Sequence, residues 1–148
     1  VFFEGNVNPG NSPSVVNFAG NLSLGSASHT LIELGGLNPG QFDQLKIVGD
    51  LSILGSLSVS LWDNFQLGSN MSFLIADIGG ARFGTFQGLG EGAFVGRFSG
   101  QDLFITYSAG NGNDIALFSA VPEPSAFLLC MVPMIGLLST RRSRSRAK

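Results

Sequence analysis

The sequence predicts an all-β body over residues 1–120, followed by a separate C-terminal tail over 121–148. Three observations carry this. Apolar residues alternate with polar ones at period two along most of the body, which puts each apolar set on one face of a half-buried strand. Clusters of Gly, Asn and Pro separate these runs at short intervals, as tight turns require. No window of 11 residues before the tail keeps a helical period.

Along the chain, the alternating sets are Leu22/Leu24, Ile32/Leu34, Leu45/Ile47, Leu51/Ile53, Leu57/Val59/Leu61, Phe73/Ile75, Leu103/Ile105/Tyr107 and Ile115/Leu117. The turns between them fall at Asn8-Pro9-Gly10, Gly35-Gly36, Asn38-Pro39-Gly40, Gly79-Gly80 and Gly110-Asn111-Gly112-Asn113. An internal echo links two stretches. Gly20-Asn21-Leu22-Ser23-Leu24-Gly25-Ser26 returns 29 residues later as Gly49-Asp50-Leu51-Ser52-Ile53-Leu54-Gly55-Ser56, with Leu54 inserted. Repeated strands that each need a neighbour to cover an apolar face are a mark of stacked architectures. The run from Phe42-Asp43-Gln44-Leu45-Lys46-Ile47-Val48-Gly49, through Gly68–Ile75, to Gly84-Thr85-Phe86 resembles the end of autotransporter-like right-handed β-helices. That resemblance implies a short right-handed parallel β-helix with capping strands. An antiparallel β-sandwich is the alternative.

Composition agrees with a turn-rich β protein. Charged residues are 12% of the chain, about half the usual share, and there are 21 glycines. A hydrophobic content of 44% supplies enough apolar surface for a core and argues against disorder. Residues 1–125 carry ten acidic side chains against three basic ones, Lys46, Arg82 and Arg97, whereas 126–148 carry five bases and no acid. A body this acidic lacks the clustered Lys and Arg that nucleic-acid phosphates need. Cys130 is the one cysteine, so neither an intramolecular disulfide nor a multi-cysteine metal site is available. Val1–Gly10 has no basic segment and no long apolar run, so the chain is expected to be truncated, any signal peptide having been removed or lying upstream.

The tail has three parts in a fixed order. Val121-Pro122-Glu123-Pro124-Ser125 comes first, and its prolines, which lack amide donors, keep it out of a strand ladder. An apolar segment over 126–140 follows, about 22 Å long as a helix and short for a hydrocarbon core of about 30 Å. Arg141, Arg142, Arg144, Arg146 and Lys148 end the chain as a basic anchor that holds the C-terminus on the cytoplasmic side. In this order the parts resemble the PEP-CTERM sorting signal, over about 28 of the 148 residues. The resemblance implies processing by an exosortase in a Gram-negative, exopolysaccharide-secreting host. It further implies one C-terminal transmembrane helix, an inner-membrane-anchored precursor, and final delivery to the cell surface or extracellular matrix. Pro133 within the apolar run, and Ser143 and Ser145 among the bases, depart from the usual pattern.

Candidate chemistry in the body is sparse. Gly110–Asp114 has part of the calcium-binding nonapeptide spacing, but Ala109 and Ala116 stand at two of its positions and only one copy exists. Such sites share ions between turns, so a hairpin turn is the preferred reading. His29 is the one histidine, which removes His-pair zinc sites; a triad with Ser28 or Ser56 lacks a Gly-x-Ser-x-Gly elbow, and a surface-loop histidine is expected. The acids Glu33, Asp43, Asp50, Asp63, Asp77, Glu91 and Asp102 are scattered, with no pair assignable to acid–base work. Trp62 beside Asp63 has the chemistry to stack on a sugar, although a core or strand-end role is preferred; Phe83, Phe86, Phe94, Phe98 and Phe104 are expected to pack core and cap. Asn21-Leu22-Ser23 and Asn70-Met71-Ser72 match the glycosylation sequon without weight in a bacterium.

The expected function is therefore non-enzymatic: an exported surface or matrix protein associated with exopolysaccharide, with no cofactor, no metal and no catalytic residue assigned. The alternative is a polysaccharide-binding or polysaccharide-active β-helix enzyme. Several Asp, Lys or Arg side chains aligned on one exposed face would favour it.

Overall fold

The computed structural model describes residues 1–121, and these form β-strands, turns and loops without a helix. The strands are β1 (Phe2–Phe3), β2 (Asn6–Val7), β3 (Val15–Phe18), β4 (Leu22–Leu24), β5 (His29–Leu34), β6 (Gln44–Ile47), β7 (Leu51–Ile53), β8 (Ser56–Leu61), β9 (Ser72–Ile78), β10 (Arg82–Gly84), β11 (Phe94–Phe98), β12 (Gln101–Ala109) and β13 (Asp114–Ser119). Every alternating set read from the sequence lies within one of them. They assemble into three sheets, ordered β1-β4-β7-β10, β2-β5-β8 and β11-β12-β13-β9-β6-β3.

Within β1 to β10 every strand pairing is parallel, and each strand neighbours the one three places later in the chain. The 29-residue echo becomes a direct ladder: Leu22 faces Leu51, Ser23 faces Ser52 and Leu24 faces Ile53. β11, β12 and β13 instead run antiparallel to one another and to β9. The sheets are thus mixed parallel and antiparallel, which corrects the antiparallel-sandwich alternative. The sandwich expectation failed because period-two alternation is the same in both kinds of ladder.

The corners explain the repeated Gly-Asx pair. The Asn21 side-chain oxygen accepts the Asp50 amide at 2.9 Å, and Asp50 Oδ1 accepts the Ala81 amide at 2.8 Å. The backbone runs alongside, with the Gly49 amide donating to the Gly20 carbonyl and the Gly80 amide to the Gly49 carbonyl. Such contact leaves no room for a side chain. A Cβ on Gly49 would lie 2.1 Å from Asn21 Oδ1 and 2.9 Å from the Gly20 backbone. Ala81, which has no side-chain acceptor, ends the series.

The core is a single cluster that runs through both kinds of ladder, from Leu22, Leu24, Leu51 and Ile53 to Leu103, Ile105, Ile115 and Leu117. Phe73 sits at its centre, edge-on to Phe42 and Phe65 with ring centroids 5.6 and 6.1 Å away. Burial of this apolar surface is the main drive to fold, at about 25 cal/mol per Å² removed from water. Leu57, Val59 and Leu61 are only half-buried but pack against the cluster. β13, the last strand, is internal to its sheet, paired to β12 on one side and β9 on the other. The expected helix over 126–140, and the sorting motif beyond Val121, lie outside the described residues.

Candidate functional site

Strand register brings together residues that the sequence keeps about 30 positions apart. Asn17 on β3 faces Lys46 on β6, and Lys46 faces Asp77 on β9. Their neighbours Phe18, Ile47 and Ile78 point into the core, so strand alternation turns all three polar side chains outward. Two positions on, Ala19, Val48 and Gly79 form a second outward row at the strand ends, with Val48 70% exposed. Both rows line an open, shallow cleft of about 440 Å³. Among the described residues none of these three polar side chains makes a hydrogen bond or an ion pair, whereas Arg97 is paired with Asp102 at 2.7 Å and Arg82 donates to the Gly84 carbonyl. Asn17 and Lys46 are exposed, and Asp77 is half-buried.

Most other acids hold the fold together. Asp43, fully buried, accepts the Ser14 amide at 2.8 Å and the Glu33 amide at 2.9 Å, clamping β3, β5 and β6 near their ends. Burial raises its pKa above the ordinary 3.8, and those two hydrogen bonds pull the other way. Glu33 is raised as well, by desolvation and then by repulsion from Asp43, and its Oε2 is buried without a partner. Asp50 belongs to the corner series, and Asp63 occupies a tight turn with Asn64 in which both residues have positive φ, 51° and 58°. Glu91 accepts from the Thr106 hydroxyl at 2.5 Å and the Tyr107 amide at 2.7 Å, which, with the Arg82 charge, lowers its pKa.

The remaining candidates are placed as follows. Gly110–Asn113 turns β12 into β13, as the hairpin reading expects. Asp114 turns inward to accept the Ile78 amide at 2.8 Å, and Asn111 donates to the Ile78 carbonyl at 3.1 Å. His29 is not in a loop; it opens β5, half-buried, with Nδ1 2.8 Å from Ser56 Oγ because the two face each other across the ladder. A loop was expected because the polar Ser26-Ala27-Ser28 approach hides the start of the strand. The Ser28 hydroxyl is buried and unpartnered rather than aimed at His29. Trp62 caps the end of β8, 43% exposed. Phe94, Phe104 and Phe118 form an outer aromatic row across β11, β12 and β13, with centroid spacings of 6.0 and 5.7 Å. Among the described residues no group of three or more His, Cys, Asp or Glu side chains is placed to hold a metal ion.

Compared with known families, curated proteins and solved structures, the chain matches none of them. Function is therefore argued from residues alone. Of the predicted site residues, only Val121 falls among those described, exposed at the exit from β13; Pro122, Glu123, Pro124, Ser125, Arg141, Arg142, Arg144, Arg146 and Lys148 lie outside them. The row Asn17–Lys46–Asp77 escaped the sequence reading, yet the echo held its signal. Moving 29 positions on from Asn17 lands on Lys46, and the next parallel pairing reaches Asp77.

Proposed function

We propose that this chain is a non-enzymatic exported surface or extracellular-matrix protein, delivered by its C-terminal tail and associated with exopolysaccharide. In this reading the body is a short right-handed parallel β-helix closed by antiparallel strands. The parallel pairing of every third strand and the stacked Gly-Asx corners support it. The tail, Pro-Glu-Pro then apolar run then bases, acts as an address read by an exosortase, from a membrane-anchored precursor whose C-terminus is cytoplasmic.

The observation that carries this reading is the position of β13. Among the described residues it is flanked on both sides by other strands, and the core cluster is assembled from residues up to Leu117. A tail that is to be cut away needs a body that closes without it. Replacing Pro122, Glu123 and Pro124 with alanine leaves hydrophobicity and basic charge intact, so membrane insertion persists while release stops. Mass spectrometry of secreted and membrane fractions from an exosortase-bearing host reads the outcome. Tails intact on all surface material from the unaltered protein overturn the sorting role.

The Asn17–Lys46–Asp77 row favours a second reading, a polysaccharide-binding or polysaccharide-active body, because it aligns charged side chains on one exposed face.

A further inference from the structure

We infer that the cleft over β3, β6 and β9 is a binding site for a neutral saccharide chain, an inference that rests on the matrix-associated reading above. A sugar presents many hydroxyls around its edge and apolar C–H faces above and below. The two rows of the cleft match this division. Asn17 offers an amide donor and acceptor, Lys46 ammonium donors and Asp77 carboxylate acceptors, in register on adjacent strands. With strands about 4.8 Å apart, the row spans about 10 Å, room for more than one sugar unit. Alongside, Ala19, Val48 and Gly79 give a low apolar shelf for a C–H face, and the cleft volume of about 440 Å³ lies in the range of small-molecule sites.

Charge selects the class. The site holds one cation and one anion, so it has no net demand for a charged ligand. The surrounding body, acidic overall, opposes a polyanion through its long-range field. A polyhydroxyl ligand without charge meets neither obstacle. The parallel register also presents each residue of the row in the same orientation, as a repeating polymer requires.

The test uses the 148-residue chain in detergent against immobilised tetrasaccharides built from glucose, galactose, mannose or N-acetylglucosamine, and against oligogalacturonate of equal length. At least one neutral tetrasaccharide should bind, more tightly than the uronate and with little dependence on salt. Lys46→Ala and Asn17→Ala should each weaken that binding about tenfold, since each removes a hydrogen-bonding group at the ligand. Phe94→Ala, on the outer aromatic row, should leave it unchanged. Because both altered side chains point to solvent, melting temperatures should stay at the wild-type value and separate lost binding from lost folding. Neutral binding untouched by both substitutions overturns the site while leaving matrix association standing. Uronate as the tighter ligand overturns the charge argument and the proposal with it. No saccharide bound at all overturns the site and the exopolysaccharide association together, whereas the sorting role is decided separately by tail release.

Discussion

The stack from β1 to β10 and the closing strands β11 to β13 share one core but are specified differently. In the stack, each strand pairs in parallel with one roughly 21 to 31 residues away, so the chain must close a long excursion before any ladder forms. What fixes register there is the corner: a glycine packed against backbone and an Asx side chain that takes an amide of the next corner. In the closing region, neighbours are joined by hairpins, and register shifts occur between Phe94 and Gly96 and between Thr106 and Ala109. Local turns position those strands, so irregularities are tolerated. Repeated Gly-Asx corners build the stack, while individual side chains finish it.

If the two regions form one cooperative unit, a cavity in either should unfold both. Leu51→Ala in the stack and Ile105→Ala in the closing strands should each cost about 3 to 4 kcal/mol, because both side chains are buried at 1% exposure or less. Urea unfolding followed by Trp62 fluorescence and by far-ultraviolet circular dichroism should give coincident single transitions. A two-step curve for Ile105→Ala alone would show the closing strands melting as a separate unit.

A smaller contrast lies in the glycines. Gly49→Ala drives a Cβ into the Gly20-Asn21 backbone and should cost about 2 to 3 kcal/mol. Gly112→Ala meets open space and suffers only from its φ of 107°, so about 1 kcal/mol is expected. Equal losses on chemical denaturation would remove the special status of the corners.

The smallest effects are in pH dependence, and their signs oppose. Glu33 has a raised pKa in the fold, so its contribution is fully present below its ordinary 4.5 and is lost as pH rises through the folded value. Glu33→Gln should therefore gain on the wild type between pH 4 and pH 7. Glu91 has a lowered pKa, so its contribution is present above 4.5 and is lost as pH falls through the folded value. Glu91→Gln should be the less stable protein at pH 7 and converge with the wild type in acid. Parallel stability profiles for the two variants would refute the opposition.

The strands with clean alternation were legible because inward residues must be apolar whatever the partner. β1 and β2 were not, because each has only two residues, too few to show a period, and β10, Arg82-Phe83-Gly84, has no apolar pair two residues apart. β11 was masked by Gly96 and by Arg97, whose charge is met by Asp102 only once β12 folds back. Buried Asp43 looked like a scattered acid, and Asp114 like the end of a turn motif, because their partners are backbone amides of distant residues, which carry no sequence signature. Arg82, whose guanidinium lies 4.8 Å over the Tyr107 ring, holds the register position that Leu22 and Leu51 hold on the neighbouring strands of its sheet. Composition cannot anticipate that exchange of an aliphatic side chain for a cation at the closed end.

The placement of β13 also has a mechanical side. In the membrane-anchored precursor proposed above, a pull through the C-terminus would enter this body at Ser119, the final residue of that strand. A border strand would peel away one bond at a time. A strand gripped from both flanks must give up the ladder bonds of β12 and of β9 together before it leaves the body, so a pull at this end meets two neighbours where a border strand would offer one.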